Sequence, residues 1–262
     1  MNNLRGIYTI WYRDILRFWH DKMRMVGAIS FPLLFLFVFG SGLSARMGLL
    51  GDGFDFIQFM FPGVIGMTVF MTSFMAGVSV VWDREFGFLK EVLVAPISRV
   101  SVVVGKALGA ATVALFQGLI IMLLAPLIGV SLTLGTVLVL LPLMFLLAVT
   151  MGSMGILLAS RIRSMEAFQA VVQMMMFPMV FLSGVFFPLQ GLPAWMSVIV
   201  KINPVTYGIA PIRQVVLGDS SGSVFDIIVL GHTMSIWNNI TVLAVFGITM
   251  ILLAVWSFGS QE

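Results

Sequence analysis

Long runs without charged residues dominate the chain and determine its predicted architecture. A bilayer core about 30 Å thick needs roughly 20 apolar helical residues to cross it, and the backbone of such a segment must be hydrogen-bonded internally. Five charge-free runs meet this requirement, and one of them is long enough for two helices with a break near 129–135. The pattern predicts an all-α polytopic membrane protein with six transmembrane helices, at about residues 25–45, 57–81, 106–129, 136–160, 167–187 and 237–258.

The positions of lysine and arginine orient these six spans. Cytoplasmic loops are enriched in both residues. With the N-terminus inside, only Arg46, Lys201 and Arg213 of the 14 lysines and arginines fall in outer segments. Both termini are therefore expected in the cytoplasm. We attribute the net charge of +3 to basic residues at the cytoplasmic face of the membrane, and not to the binding of a nucleic acid.

Residues 1–23 precede the first span and predict an amphipathic helix at the membrane interface. Apolar and aromatic positions recur at steps of three and four residues, whereas arginines follow another side of the same helix. We expect Trp11 and Trp19 at the depth of the lipid headgroups, and Arg13 and Arg17 toward anionic lipid or a cytosolic partner. A soluble helix docked on another protein is the alternative.

Two connections between spans contain more apolar residues than a simple tether requires. The stretch 83–99 mixes charges of both signs with apolar side chains, and Pro96 ends any helix before it. It predicts a short amphipathic helix, one side of which could bind a partner protein, and a solvated interfacial loop is the alternative.

The outer stretch 188–218 is too apolar for an exposed loop and too rich in proline for a span. It predicts a re-entrant helical hairpin that turns at Asn203-Pro204.

The composition excludes several kinds of chemistry. The chain has no cysteine and only two histidines, and its charge-free runs contain no acid, so we expect neither a metal site, a catalytic centre nor a proton relay. A phosphate-binding G-x-x-x-x-G-K-[ST] loop is missing, because Gly105-Lys106 is followed by Ala107. Gly105 and Gly109 instead belong to a small-residue face of span three, which predicts close helix packing. If this membrane protein takes part in active transport, the ATP and magnesium are therefore expected to bind a separate polypeptide.

Three stretches of the chain resemble the ABC-2-type permeases, the membrane subunits of ATP-driven exporters, and within them the drug-resistance and nodulation-export branch. Residues 56–63 are similar to the family's first turns of span two, 84–99 to its cytoplasmic coupling region, and 181–213 to the end of its span five and its outer hairpin. The sequence departs from the family pattern at Phe88, where threonine is more common, and at Lys90, where glutamate is more common.

The resemblance implies a permease that pairs with itself or a paralogue and joins two copies of a cytosolic ATPase. The coupling segment would contact that ATPase through Arg84, Glu85, Phe86, Gly87, Leu89, Glu91, Pro96 and Arg99. The family motif and the re-entrant hairpin would contribute Pro62, Gly63, Gly184, Pro188, Pro193, Asn203, Pro204, Tyr207 and Arg213.

These observations together predict the transmembrane subunit of an ABC exporter. It would move an amphipathic drug-like or lipid-linked molecule across the plasma membrane of a bacterium or archaeon. Its partners would be the ATPase, a second permease and membrane lipid. A polysaccharide or glycolipid exporter is the first alternative, and an ion-coupled secondary carrier is the second.

Overall fold

Helices form nearly all of the structure. The computed structural model describes residues 3–48, 56–87, 98–162, 164–187, 189, 191–218, 227–229 and 232–259. Within these residues the helices are α1 (Asn3–His20), α2 (Lys22–Gly48), α3 (Phe56–Phe74), α4 (Gly77–Glu85), α5 (Arg99–Leu123), α6 (Leu134–Arg161), α7 (Met165–Phe181), α8 (Ala194–Ile202), α9 (Pro204–Leu217) and α10 (Ile236–Gly259). A 3-10 turn, Ala125–Ile128, follows α5, and Ile228–Val229 (β1) pairs with His232–Thr233 (β2) in an antiparallel ladder.

Five helical segments of the described chain are long and apolar enough to cross a bilayer. They are Met25–Gly42 in α2, Phe56–Glu85 in α3 and α4, Arg99–Leu123, Leu134–Arg161 and Ile236–Phe258. The predicted class, an all-α polytopic membrane protein, is therefore confirmed. Helix α7 occupies the place of span five but has only 17 residues, fewer than the predicted range 167–187. The count of six spans stays a prediction.

Polar caps and a glycine determine where several of these helices begin and end. Ser98, Thr133 and Ser164 each accept a hydrogen bond from a backbone N–H three residues later, and they start α5, α6 and α7. The span predicted to begin at 106 therefore belongs to a helix that begins just after Ser98. The 3-10 turn after α5 ends at Gly129, whose φ of 75° is readily adopted only by glycine.

The helix of span two is interrupted at Met75–Ala76. After this turn, the backbone N–H groups of Val78 and Ser79 donate to carbonyls three residues earlier rather than four. Helix α6 approaches the interruption so closely that a Cβ added to Gly155 would lie 2.1 Å from the carbonyl oxygen of Phe74. The crossing that the sequence predicts as one helix therefore consists of two, α3 and α4.

Helix α3 lies at the centre of the bundle and packs against α2, α5, α6 and α9. Its side chains Phe61, Val64 and Phe70 are fully buried. By contrast, α2 and α10 expose large apolar side chains such as Leu34 and Leu252. Lipid tails are as apolar as leucine, so a bilayer would cover these outer faces without penalty.

Helix α1 packs along α5 and runs in the same direction. Ile10 of α1 lies against Gly105, and farther along both helices the ring of Trp19 meets that of Phe116 with centroids 5.6 Å apart. An added Cβ at Gly105 would lie 3.0 Å from the Cβ of Ile10, and one at Gly109 would lie 3.1 Å from a side-chain atom of α1. The predicted packing role of these two glycines is therefore confirmed.

Replacing Gly105 with leucine is expected to push α1 away from α5, because the new side chain would overlap Ile10 and the backbone of Ile7. Overpacking of this kind costs about 1–3 kcal/mol, so the backbone amides of α1 should exchange with deuterium faster in the variant. Gly42→Leu on α2 is the matched control, since a Cβ there meets nothing within 4 Å. Equal exchange of α1 in the two variants would contradict this packing.

Candidate functional site

The buried carboxylate of Asp83 joins three helices at one end of the bundle. Its Oδ2 accepts hydrogen bonds from Lys106 Nζ at 2.8 Å and from Arg13 Nη2 at 2.9 Å. Its Oδ1 lies 4.0 Å from Arg17 Nη1. Asp83 lies on α4, Lys106 on α5 and both arginines on α1. These four residues are referred to below as the Asp83 cluster, and the end of the bundle that holds them as the Asp83 end.

Burial makes the charges of this cluster depend on one another. The side chain of Lys106 is 2% exposed and that of Asp83 8% exposed, so water solvates neither charge well. Removing one partner of a buried ion pair typically destabilises a protein by about 3–5 kcal/mol, because the other charge is left uncompensated. Burial lowers the pKa of Arg13, but the charges of Asp83 and Asp14 outweigh this effect and raise the pKa above its ordinary value. Arg13 therefore remains a cation that holds α1 to α4.

The arginines of α1 have a partner within the chain that the sequence did not predict. Arg13 and Arg17 lie against Asp83 because the buried carboxylate attracts them. Their contact with anionic lipid or a cytosolic partner stays a prediction. The guanidinium of Arg17 also lies 4.8 Å from the ring centre of Trp82, in a cation–π contact. The polar side of α1 is therefore largely used for contacts within the chain.

The tryptophans of α1 lie on the side that faces α5. The half-buried Trp11 donates its indole N–H to the hydroxyl of Thr112 at 3.0 Å. Trp19 contacts Phe116 on one side and remains 59% exposed. The amphipathic helix that the sequence predicts is therefore present, and its location at headgroup depth stays a prediction.

Two arginines of the predicted coupling segment bind the ends of other helices. Arg84 donates to the carbonyl oxygens of Ile162 and Ser160, both at 2.9 Å, at the end of α6. Arg99 donates to the carbonyl oxygen of Phe258 at 3.2 Å, near the end of α10. The last carbonyls of a helix have no partner within that helix, and a cation there also interacts favourably with the helix dipole. Both arginines therefore attach the ends of neighbouring spans to the Asp83 end.

Glu85, Phe86 and Gly87 are the members of the coupling segment that project from the Asp83 end. Glu85 is exposed, and Phe86 is 76% exposed although its ring contacts Trp82 edge-on at 5.7 Å. Gly87 has a φ of 77°, a left-handed conformation that turns the chain after α4. Outside the described residues lie the other predicted contacts, Leu89, Glu91 and Pro96.

At the opposite end of the bundle, the stretch 188–218 that the sequence predicts as a re-entrant hairpin contains α8 and α9. Asn203 separates α8 from α9, and its Oδ1 accepts from the backbone N–H of Val205 at 3.1 Å. The same side chain donates from Nδ2 to the carbonyl oxygen of Met179 at 2.7 Å, which ties the turn to α7. Pro204 occupies the first turn of α9, where no backbone N–H is needed. The predicted turn at Asn203-Pro204 is therefore confirmed.

Helix α9 extends far into the bundle. Its Gly208 lies against Leu147 of α6, and its Ile209 lies against Gly66 of α3. At a rise of 1.5 Å per residue, Leu147 is about 20 Å along α6 from the first residue of that helix. The turn that precedes α9 therefore lies deep in the bundle. The re-entry of this stretch into a bilayer stays a prediction.

Arg213 is buried inside the bundle, whereas its assignment to an outer segment suggested an exposed side chain. It is 2% exposed, donates to the carbonyl oxygen of Gly184, and lies 4.6 Å from the ring centre of Phe59. Gly184 has a φ of 81°, so it presents its carbonyl from a left-handed turn. Tyr207 donates its hydroxyl to the carbonyl oxygen of Lys201 at 2.7 Å and thereby joins α9 to α8. The structure thus connects several of the predicted motif residues.

Two further motif residues, Pro62 and Gly63, lie where α3 meets the chain that leaves α7. Pro62 and Gly63 are buried in α3, and a Cβ added to Gly63 would lie 3.1 Å from the Cα of Val185. Pro193 directly precedes α8. Pro188 lies outside the described residues. The glycine of this motif therefore allows close approach of two backbones.

Sequence reasoning did not identify Asp83 and Lys106 as a pair. Asp83 was assigned to the coupling segment 83–99 and Lys106 to the cytoplasmic start of the span at 106–129, with no contact predicted between them. A signal was nevertheless present, because Lys106 stands between Gly105 and Ala107 on the small-residue face. A lysine on a face that packs against another helix needs a buried partner of opposite charge.

Comparisons with known proteins agree with this architecture. The family model for the ABC-2 type transporters matches residues 5–217. A putative transport permease, ycf38 of Cyanophora paradoxa, is 28% identical over 95% of this chain and 88% of its own length. The inner membrane transport permease YadH of Escherichia coli K12 is 27% identical over 81% of this chain and 83% of its own length.

A third relative has a more specific name. The probable multidrug ABC transporter permease YbhR of Escherichia coli K12 is 26% identical over 64% of this chain and 46% of its own length. The family match includes most of α1, both helices of span two and the hairpin formed by α8 and α9. The chain therefore belongs to the ABC-2 type transporter family and is a membrane permease of an ABC transporter.

Proposed function

We propose that this chain is the transmembrane half of an ATP-driven exporter that moves an amphipathic small molecule out of the cell. Two copies of a separate cytosolic ATPase bind ATP and magnesium and supply the energy. The second permease is another copy of this chain or a paralogue. The complex lies in the plasma membrane of a bacterium or archaeon, with both termini of the permease in the cytoplasm.

The construction of the Asp83 end is the observation that carries this proposal. Charged hydrogen bonds link α1, α4 and α5 there, and two arginines link α6 and α10 to them. Phe86 projects from this linked body with 76% of its surface exposed. An ATPase that bound Phe86 would therefore move several spans together, as rigid-body transitions require. It would drive transport by binding one arrangement of the spans more tightly than the other.

The orientation and the cargo have separate support. Lysine and arginine concentrate around the Asp83 end, which favours its placement on the cytoplasmic side. One relative carries the name of an inner membrane permease, which favours the plasma membrane. Another carries the name of a probable multidrug permease, which favours an amphipathic small molecule as cargo.

Reconstitution tests the separation of permease and motor. The chain is inserted into liposomes with or without the ABC ATPase that co-purifies with it, and the movement of a fluorescent amphipathic dye is followed after ATP is added. We expect movement only when the chain, the ATPase and ATP are all present. Movement by the chain alone, driven by an ion gradient without nucleotide, would contradict the proposal and favour a secondary carrier.

Replacing Phe86 with alanine should weaken association with the ATPase at least tenfold. An aromatic side chain at the centre of an interface commonly contributes about 2 kcal/mol or more, and 1.4 kcal/mol corresponds to a factor of ten. Trp237→Ala is the matched control, because Trp237 is also 76% exposed but lies in the first turn of α10, far along that helix from the Asp83 end. Co-purification of the ATPase measures both variants, and equal recovery would count against a coupling role for Phe86.

Replacing Asn203 with alanine should reduce dye export more than it reduces assembly with the ATPase. The variant loses the cap of α9 and the bond to Met179, so the turn of the hairpin is released while the Asp83 end is unchanged. Loss of an N-cap costs about 0.5–2 kcal/mol. Thr133→Ala removes a similar but exposed cap from α6 and serves as the control. Export at the normal rate by a correctly assembled Asn203→Ala complex would mean that the hairpin has only a structural role.

A further inference from the structure

A cavity of about 540 Å³ lies beside the interruption of span two. Its walls come from six helices, namely α1, α2, α3, α4, α5 and α7. Sites for small molecules typically have volumes of about 300–1,000 Å³. The cavity is therefore large enough for one small molecule and too small for a polymer.

Most of the cavity wall is apolar, with phenylalanine and methionine side chains in prominent positions. Phe31 of α2, Met71 of α3 and Met176 of α7 all line it. Methionine is flexible and polarisable, so such a wall can adapt to apolar bodies of different shapes. The apolar part of a ligand would be held here.

The side chain of Gln117 supplies a polar group to the same wall. It is fully buried, and its Oε1 accepts a hydrogen bond from the hydroxyl of Thr72. Its Nε2 has no hydrogen-bond partner among the residues that the structure describes. Buried donors normally have a partner, and an acceptor oxygen of a ligand in the cavity would provide one. Gln117 lies about 16 Å farther along α5 than Lys106, at 1.5 Å per residue.

The charged groups at the Asp83 side of the cavity are paired within the chain. Arg17 and Asp14 line the cavity, Arg17 lies 4.0 Å from Asp83, and Asp14 lies 3.3 Å from Arg13. Asp21 also lines the cavity, so the wall carries charges of both signs and no strong excess of either. A ligand without net charge therefore matches this site better than an anion or a cation.

The cavity is connected to the Asp83 cluster by a direct hydrogen bond. Ser79 lines the cavity and accepts from Lys106 Nζ at 2.9 Å. The interruption of span two, Met75–Ala76, also lines it. A displacement of α4 relative to α5 would therefore change the shape of the cavity.

We infer that this cavity binds an uncharged or zwitterionic amphipathic molecule. The apolar body of the molecule lies among Phe31, Met71 and Met176, and an acceptor oxygen binds Gln117 Nε2. That this molecule is the exported cargo rests on the proposed function, whereas the binding itself does not. Movement of α4 by the ATPase would then alter the affinity of the site.

Fluorescence of Trp82, which lines the cavity, reports on the occupant. The full chain is placed in lipid nanodiscs without any ATPase and titrated with lysophosphatidylcholine that carries a nitroxide on its acyl chain. We expect quenching that saturates, and the saturating part should be absent from Trp82→Phe. Quenching that rises linearly with probe, or that is unchanged in Trp82→Phe, would overturn the inference, because it would indicate simple partition into the bilayer.

Two glycines of α2 provide a matched pair of variants. A Cβ at Gly27 or at Gly42 meets nothing within 4 Å, but only Gly27 is among the residues that line the cavity. Gly27→Phe should fill the cavity and abolish saturable quenching, whereas Gly42→Phe should leave it unchanged. Equal binding of the probe by the two variants would overturn the inference.

The role of Gln117 is tested with a second probe. Gln117→Leu should weaken binding of the labelled lysophosphatidylcholine about tenfold, as expected for the loss of one hydrogen bond. A brominated alkane, which quenches tryptophan fluorescence and has no oxygen, should bind the variant and the original protein equally. An unchanged affinity for both probes would contradict the assigned contact. These binding measurements contain no ATPase, so their failure would leave the proposal of a separate ATPase intact. Failure of the reconstitution with the ATPase would likewise leave the binding result intact.

Discussion

A carboxylate that is removed from water must keep its cations, and this constraint governs how α1, α4 and α5 are arranged. Asp83 is held by Lys106 and Arg13, with Arg17 close by. Separating α1 from the bundle would uncover Asp83 and leave it with Lys106 as its counter-charge. An isolated amphipathic helix would be free to move along the membrane surface, but this one is fixed to the spans. The small-residue face at Gly105 makes the close approach possible, and the charges make it favourable.

The Asp83 cluster also connects the Asp83 end with the cavity and with other helices, so a displacement at that end is transmitted to them. From Asp83 the contacts continue through Lys106 to Ser79, which borders the cavity. They also continue through α4 to Arg84, which holds the end of α6. Packed cores change between discrete arrangements rather than deforming continuously. A partner bound at the end of α4 would therefore act on the cavity and on several spans at once.

Much of the fold could be predicted from the pattern of residues, because lipid imposes simple rules. Charge-free length predicts the spans, three- and four-residue periodicity predicts α1, and Asn203-Pro204 predicts the turn between α8 and α9. The interruption at Met75–Ala76 could not be predicted, because it coincides with the close approach of Gly155, which is distant in sequence. An interrupted span is tolerated within a membrane where other parts of the protein surround the interruption and form hydrogen bonds with its backbone groups.

The candidate site was harder to predict than the fold, because its charges are paired across helices. Lys106 and Arg213 were assigned to cytoplasmic and outer flanks by their sequence positions, yet both are buried. Their partners, Asp83 and the carbonyl of Gly184, come from other elements of the chain. Arg84 binds carbonyls at the end of α6, a contact that its position in the coupling segment did not indicate. Sequence position shows which end of a span holds a charge, whereas tertiary contacts decide what that charge binds.

The dependence of Asp83 and Lys106 on each other is tested most directly by a double-mutant cycle. Thermal unfolding in detergent is measured for Asp83→Asn, Lys106→Met and the combined variant. A buried unpaired charge is destabilising and a neutral pair is much less so. We therefore predict that the combined variant unfolds at a higher temperature than Asp83→Asn alone. If the decreases in stability of the two single variants simply add in the combined variant, as they do for independent sites, the buried ion pair does not hold these helices together.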